Sequence, residues 1–222
     1  MTGEQGQTRA RVNVGCGMTP TPGWHNLDNS LSVRLAAYPR LTSLGTKVGV
    51  ISAPQARFVA EASAAGIRQA DVRKPMPFPA DSLDVVYSSH MLEHLDRSTA
   101  AIFIEDAHRV LRPGGVIRIA VPDLQSRLDH YRETGDADQF MESLHMDMNL
   151  PTNWREGLRS RMVSFRGHRW MYDADSLARL LRGGGFVDEV ALSAGETTIP
   201  EPGELDLHER ADESLYMEAR KP

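Results

Sequence analysis

The stretch Arg11–Gly17 reads Arg-Val-Asn-Val-Gly-Cys-Gly, an apolar-alternating run that stops at two glycines one residue apart. Alternation of apolar and polar side chains is typical of a short strand, and the glycines predict a tight turn directly after it. Because Gly15 and Gly17 have no Cβ atom, the backbone of this turn can approach a ligand closely. The stretch therefore predicts a strand followed either by a plain turn or by the cradle of a cofactor.

Further motifs follow this stretch along the chain. They are Gly-Trp-His-Asn-Leu-Asp at 23–28, Ala-Asp-Val at 70–72, a strand-like run ending in Ser-Ser-His-Met-Leu-Glu-His at 83–94, and Leu-Arg-Pro-Gly-Gly at 111–115. In this order and at this spacing, the set resembles class I S-adenosylmethionine (SAM)-dependent methyltransferases. The resemblance runs from about Val12 to the end of the chain.

Short apolar runs alternate with helical patterns along the chain. Strands are predicted near 11–15, 24–28, 67–71, 83–88, 116–121, 186–192 and 214–219, and helices at 53–65, 98–111, 124–133 and 173–181. Such alternation favours an α/β fold with a parallel sheet. The resemblance implies a Rossmann-like class I methyltransferase fold, with a mostly parallel seven-stranded sheet and helices on both faces. One departure is that Pro20, Pro22 and Gly23 argue against a full helix between the first two strands.

The composition limits the class of protein. A length of 222 residues, 41% of them hydrophobic and 25% charged, predicts a single domain over 1–222. A substrate-binding insertion is expected at about 134–170, where the sequence is irregular and rich in Met, His and Arg. The net charge of −5 argues against a general nucleic-acid surface, which needs clustered Lys and Arg. No apolar run reaches the roughly 20 residues of a membrane span, and residues 1–10 do not resemble a signal peptide. We expect a cytoplasmic protein, and the choice between monomer and homodimer stays open.

The resemblance implies S-adenosyl-L-methionine as the cofactor. The residues that it assigns to cofactor binding are Gly15, Cys16, Gly17, Asp28, Asp71, Val72 and Ser89. Asp28 would accept the two ribose hydroxyls. Asp71 would accept the adenine amino group beside the backbone of Val72, and the Ser89 carbonyl would meet the charged amino group. From the residues alone, Asp28 can also be a turn former and Asp71 a loop carboxylate.

The segment His90-Met91-Leu92-Glu93-His94 contains a candidate metal site. If a helix begins near Met91, then His90, Glu93 and His94 lie on one face, and their nitrogen and oxygen atoms can hold a divalent cation such as Mg²⁺. A similar Glu-x-x-Glu-His pattern occurs in magnesium-dependent small-RNA 2′-O-methyltransferases, although a histidine in the first position suits Mg²⁺ less well. The alternative is a polar helix start beside the cofactor.

Methyl transfer to a hydroxyl needs a base, and histidine is the usual one. His145 and His168 lie in the predicted substrate region, and either could be that base or a plain packing histidine. Five arginines between residues 153 and 170 could hold an anionic or polyhydroxyl acceptor, with Trp154 or Trp170 stacking on a sugar face. A solvated basic surface is the alternative.

The compressed spacing of the first two motifs, with the pattern His-Arg-Trp-Met-Tyr-Asp at 168–173, resembles a bacterial subgroup associated with polysaccharide assembly. The leading hypothesis is a SAM-dependent O-methyltransferase that acts on a hydroxyl of a sugar or glycoside, such as a mannoside in an actinobacterial polysaccharide. One alternative is a methyltransferase of a phenol or another small natural product. A second is a non-catalytic protein of the SAM-binding fold that binds a partner or RNA.

Overall fold

A computed structural model describes residues 10–36, 38–49, 51–146 and 167–222 of the chain. Much of the predicted substrate insertion at 134–170, including Trp154 and most of its arginines, lies outside these residues. None of the helices in the described ranges is both long and apolar enough to span a bilayer.

The described residues form seven strands and seven α-helices. The strands are β1 Arg11–Val14, β2 His25–Asp28, β3 Arg68–Gln69, β4 Leu83–Ser89, β5 Leu111–Pro122, β6 Val187–Leu192 and β7 Ser214–Arg220. The helices are α1 Leu31–Ala36, α2 Pro39–Lys47, α3 Ala53–Ala64, α4 Arg97–Val110, α5 Leu124–Thr134, α6 Ala137–Ser143 and α7 Ala174–Gly183. Every strand and helix predicted from the sequence is present, although β3 is shorter and β5 begins earlier than predicted.

The strands form one sheet in the order β3-β2-β1-β4-β5-β7-β6. The first five strands of this order pair in parallel, whereas β7 is antiparallel to both β5 and β6. The predicted Rossmann-like fold with a mostly parallel seven-stranded sheet is confirmed. The sheet differs from the 3-2-1-4-5-6 order of dinucleotide-binding domains, because the last strand inserts between β5 and β6.

One face of the sheet is packed against α4 and α7. Alternate residues of the strands, such as Val86 and Ile117, join Phe103 of α4 and Leu181 of α7 in the main core. The residues of β4 and β5 that point to the other face of the sheet pack against Ile199 and Leu205. These two residues belong to the irregular segment between β6 and β7. Within the described residues, this part of the second face is thus covered by an irregular segment, where helices were predicted.

The link between β1 and β2 spans residues 15–24 and contains no helix, as its prolines predict. Side-chain hydrogen bonds hold it in place. The Asn13 side-chain amide donates to the Thr21 hydroxyl and to the Thr19 carbonyl. The Asn26 side-chain amide donates to the carbonyls of Thr21 and Trp24. The Thr19 hydroxyl donates to Glu209, which also accepts from the Tyr87 hydroxyl. Polar side chains therefore fix a connection that is short for a parallel pair of strands.

A buried ion pair joins β5 to β7 on the face covered by the irregular segment. Arg118 and Glu218 are register partners, both side chains are almost fully buried, and their nearest nitrogen and oxygen atoms are 2.6 Å apart. Glu218 also accepts hydrogen bonds from the Thr197 hydroxyl and from the backbone and hydroxyl of Thr198. Arg118 donates to the carbonyl of Glu196. The pair therefore anchors the start of the covering segment to the sheet.

We expect Glu218→Gln to lower the free energy of unfolding by about 3–5 kcal/mol, because it leaves the Arg118 charge buried without its partner. Urea unfolding followed by circular dichroism measures this. Glu61→Gln breaks the exposed Arg57–Glu61 pair of α3 and serves as the control, with an expected change below about 1 kcal/mol. Equal effects of the two substitutions would show that the buried pair does not stabilise the fold.

Candidate functional site

A cavity of about 300 Å³ opens at the carboxyl ends of the parallel strands. In α/β sheets, ligands bind at this edge, where the direction of the connections changes. The residues that line it are Val14, Gly15, Gly17, Asp28, Asn29, Ser30, Ala70, Asp71, Val72, Arg73, His90, Met91, His94, Leu95, Asp96, Thr99 and Arg169. The cavity therefore brings together Gly15, Gly17, Asp28, Asp71 and Val72, five of the seven residues assigned to the cofactor.

The glycine turn after β1 is closed against the end of β2. The backbone N–H groups of Gly15 and Cys16 both donate to the Leu27 carbonyl, at 2.8 and 3.2 Å. Gly15 has φ +75°, and a Cβ atom there would lie 2.5 Å from Cγ of Met91. Gly17 has φ +50°, and a Cβ atom there would meet nothing within 4 Å. The space left at Gly15 is thus filled by Met91, whereas Gly17 faces open space at the cavity.

Asp28 ends β2 and is oriented by two backbone groups. One carboxylate oxygen accepts from the N–H of Gly17 at 3.2 Å, and the other accepts from the N–H of Ser30 at 2.7 Å. The residue is therefore a turn former and a cavity-lining carboxylate at once. Because each carboxylate oxygen can accept more than one hydrogen bond, these contacts leave capacity for ligand hydroxyls.

Asp71 forms an ion pair with Arg73 at the wall of the cavity. The Arg73 side chain donates from Nη2 at 2.6 Å and from Nε at 2.9 Å, and its backbone N–H donates at 3.1 Å. The Arg73 guanidinium holds the pKa of the Asp71 carboxyl below its usual range, so Asp71 is ionised at neutral pH. The sequence analysis did not identify Arg73. Its position two residues after Asp71 is a spacing at which the arginine side chain can fold back onto the Asp71 carboxylate.

Cys16 and Ser89 are not among the described residues that line the cavity. The Cys16 side chain points instead into a small apolar cluster with Val33, Ala62 and Ile67. Burial, with a smaller effect of the nearby Asp28 charge, raises the pKa of its thiol to about 12. Ser89 is the last residue of β4 and pairs with Ala120, next to the cavity-lining His90.

His90 does not share a helical face with Glu93 and His94. It has φ +47°, and only a short 3₁₀ turn at Leu92–His94 follows it. Its Nε2 lies 2.8 Å from the Ser214 hydroxyl and its Nδ1 lies 3.3 Å from the Arg210 guanidinium. The predicted ligand set of His90, Glu93 and His94 therefore differs from the arrangement in the structure, because the helix that would align them does not form at His90.

Four other side chains meet at this end of the cavity. Glu93 is 1% exposed, and the His94 ring lies between it and the cavity, with Nε2 3.9 Å from the Glu93 carboxylate. The rings of His94 and His168 pack edge to face at 5.1 Å, and those of His145 and His168 at 5.4 Å. His145 and His168 are thus brought together, but they lie behind His94 and are not among the described residues lining the cavity. Burial lowers the pKa of His168.

The first turn of α4 completes the cavity wall. The Asp96 side chain caps the helix by accepting from the N–H of Thr99, and one of its oxygens lies 3.4 Å from Nη1 of Arg169. The next residue, Trp170, is 44% exposed, with the Arg97 guanidinium 5.0 Å from its ring centre. Arg169 and Trp170 lie in the part of the predicted substrate region that is described. Arg169 lines the cavity, and Trp170 follows it in the chain without being among the described lining residues.

The chain is similar to known methyltransferases in sequence and in fold. Residues 32–119 match the family model for a methyltransferase domain. This range begins after Asp28 and does not include the glycine turn. No curated protein has a sequence similar enough to match.

Solved structures share the fold at low sequence identity. A SAM-dependent methyltransferase from Thermotoga maritima, whose name suggests histamine N-methylation, is 15% identical with a TM-score of 0.52, covering 96% of this chain and 82% of its own. A SAM-dependent methyltransferase from Methanosarcina mazei is 14% identical with a TM-score of 0.52, covering 97% and 93%. An O-methyltransferase family protein from Burkholderia thailandensis is 15% identical with a TM-score of 0.51, covering 96% and 51%. The domain match covers less than half of the chain, and the solved structures show that the fold is shared with methyltransferases.

The two glycines of the turn should respond differently to substitution. We expect Gly15→Ala to lower the free energy of unfolding by about 1–3 kcal/mol, because the new methyl group displaces Met91 and the φ angle is unfavourable. Gly17→Ala should cost about 1 kcal/mol, because its φ angle is also positive but no atom within 4 Å obstructs the new methyl group. Thermal unfolding of the two variants measures this, and equal losses would contradict the contact between Gly15 and Met91.

The single cysteine should be unreactive in the folded protein. With the thiol pKa raised to about 12, almost no thiolate forms at pH 8, and the thiolate is the reactive species. We expect Ellman's reagent to label Cys16 only slowly in buffer and rapidly in denaturant. Rapid labelling of the folded protein at pH 8 would place the thiol on the surface, contrary to the structure.

Proposed function

We propose that this chain is an O-methyltransferase that binds SAM in the cavity at the carboxyl edge of the sheet and acts on a hydroxyl of a sugar or glycoside. The observation that carries the cofactor assignment is the pair of carboxylates, Asp28 and Asp71, at the ends of neighbouring strands in one cavity. A volume of about 300 Å³ is in the range of small-molecule sites.

The residues of the cavity suit a nucleoside. Asp28 is held by two backbone N–H groups, so its remaining lone pairs have a fixed direction toward hydroxyl groups of a ribose. Asp71 is ionised and can accept from the amino group of a base, and Val72 lines the cavity beside it. Gly17 leaves room where a side chain would stand. When bound, SAM supplies a methyl group on a positively charged sulfur.

The far end of the cavity suits a hydroxyl acceptor. In-line transfer depends on holding the acceptor oxygen in position, and a hydroxyl must lose its proton. His94 lines the cavity, with His168 and His145 behind it, so this group of imidazoles is the proposed route for the proton. This keeps His145 and His168 as candidate catalytic residues and adds His94 as the one that faces the cavity.

Arg169 and Trp170 support a polyhydroxyl acceptor. A guanidinium can donate several hydrogen bonds to hydroxyl oxygens, and a half-exposed indole offers an apolar face with a polar edge. A simple phenol offers Arg169 a single hydroxyl oxygen, whereas a sugar offers it several. The sugar is therefore the favoured acceptor, and a phenol is the alternative to test.

The cofactor assignment is tested with Asp28→Asn. Hydrogen bonds to a charged group contribute about 1.5–3 kcal/mol, so we expect S-adenosylhomocysteine to bind roughly 10- to 150-fold more weakly. Isothermal titration measures the affinity, and Asp129→Asn on the exposed face of α5 is the control. If Asp28 is a turn former only, Asp28→Asn will lower the unfolding midpoint without changing the affinity of the folded protein.

The acceptor is tested with radiolabelled SAM and two panels of acceptors, mannosides and other oligosaccharides in one and phenols in the other. We expect label in the oligosaccharide products. Label only in phenols would overturn the sugar assignment and leave the methyltransferase assignment intact. If S-adenosylhomocysteine does not bind, both assignments fail.

A further inference from the structure

We infer that Glu93, His94 and His168 form a binding site for one divalent transition-metal ion, at the acceptor end of the cavity. One ligand atom from each of these residues lies within 4.8 Å of the other two. Two imidazoles and one carboxylate on one side of an ion leave its other positions open for water or substrate oxygen, as in mononuclear sites for Fe²⁺, Mn²⁺ or Zn²⁺.

Glu93 is the first reason for this inference. Its side chain is almost fully buried, and neither carboxylate oxygen accepts a hydrogen bond from any residue in the described ranges. The imidazole nitrogens His90 Nδ1 and His94 Nε2 lie 3.4 and 3.9 Å from Oε1, too far or too poorly aligned for hydrogen bonds. A buried carboxylate is costly without a positive partner, and a bound cation supplies one.

The orientation of His94 is the second reason. Its Nδ1 lies 3.4 Å from the carbonyl oxygen of Gly167, which can only accept. That contact favours the proton on Nδ1 and leaves the lone pair of Nε2 directed toward Glu93. Metal-binding histidines commonly donate their second ring nitrogen to a backbone carbonyl in this way.

The backbone brings the third ligand from a distant part of the chain. The carbonyl of Glu93 accepts from the N–H groups of Arg169 and Trp170, at 2.7 and 3.2 Å, and the N–H of His168 donates to the carbonyl of His145 at 3.0 Å. These hydrogen bonds hold residues 167–170 against the 3₁₀ turn before any ion binds. The three ligands are therefore positioned by the fold.

His90 is not one of the three ligands, although its Nδ1 lies 3.4 Å from Glu93 Oε1. The same Nδ1 lies 3.3 Å from the Arg210 guanidinium, and Nε2 lies 2.8 Å from the Ser214 hydroxyl. His145 packs against His168 and is not one of the three ligands.

The site goes beyond the proposed function, and the two can be tested separately. Metal-free protein is prepared with a chelator and titrated with Co²⁺, whose visible absorption reports imidazole and carboxylate ligands. We expect one Co²⁺ per chain, displaced by one equivalent of Zn²⁺. Titration of the metal-free protein with S-adenosylhomocysteine tests the cofactor site independently. Each proposal can therefore fail while the other is supported.

Variants identify the ligands. We expect Glu93→Gln and His168→Asn each to weaken Co²⁺ binding at least tenfold, and His130→Asn, on the exposed face of α5, to leave it unchanged. Should Glu93→Gln fail to fold, His168→Asn decides. The inference is overturned if the wild type shows no saturable Co²⁺ binding at about millimolar concentration, or if His168→Asn binds normally. Loss of binding in His90→Asn alone would assign the ion to the ligand set predicted from the sequence.

Discussion

The attachment of the glycine turn to the end of β2 is the constraint on which the cavity depends. A single carbonyl, that of Leu27, accepts from two consecutive backbone N–H groups of the turn, and Asp28 accepts from a third. The backbone donors of the turn are therefore used by the fold and are not directed at a ligand. What the turn offers a ligand is the space at Gly17 and the fixed carboxylate of Asp28. The β1–β2 edge thus gives the cavity a wall that hydrogen bonds hold in place.

The missing helix between β1 and β2 has a consequence elsewhere in the sheet. A crossover helix covers the sheet beside the strands that it joins, and a link of residues 15–24 is too short and too rich in proline to do so. The segment between β6 and β7 packs on one face of β4 and β5 through Ile199 and Leu205. Arg118 and Glu218 hold its start, and Glu209 holds its end through Thr19 and Tyr87. The short β1–β2 link is therefore joined directly to the segment that covers this face.

The parts of the structure that could be predicted from the sequence are those that depend on local patterns. Strand and helix positions follow from hydrophobic periodicity and from glycine and proline, and Asp28 and Asp71 follow from their places at strand ends. The ion pair between Arg118 and Glu218 could not be predicted. The two residues are 100 positions apart, and the local sequence around either one does not indicate its partner. The same holds for His168, which long-range backbone contacts bring to Glu93.

The backbone at His90 differs from the predicted helix for a different physical reason. A spacing of three and four residues implies a common face only if the backbone is helical, and the left-handed conformation of His90 removes that condition. Such a conformation costs about 1 kcal/mol or more for a residue other than glycine, and burying the Glu93 carboxylate without hydrogen bonds costs more. Both costs fall on neighbouring residues at one end of the cavity. A fold can hold a residue in an unfavourable conformation when neighbouring contacts fix its backbone. Here the N–H of His90 donates to the Ala120 carbonyl of β5. The carbonyl of Glu93 accepts from the N–H groups of Arg169 and Trp170. The unfavourable side-chain environment is thus held in place by favourable backbone contacts, which is the arrangement expected where stability is given up for binding or catalysis.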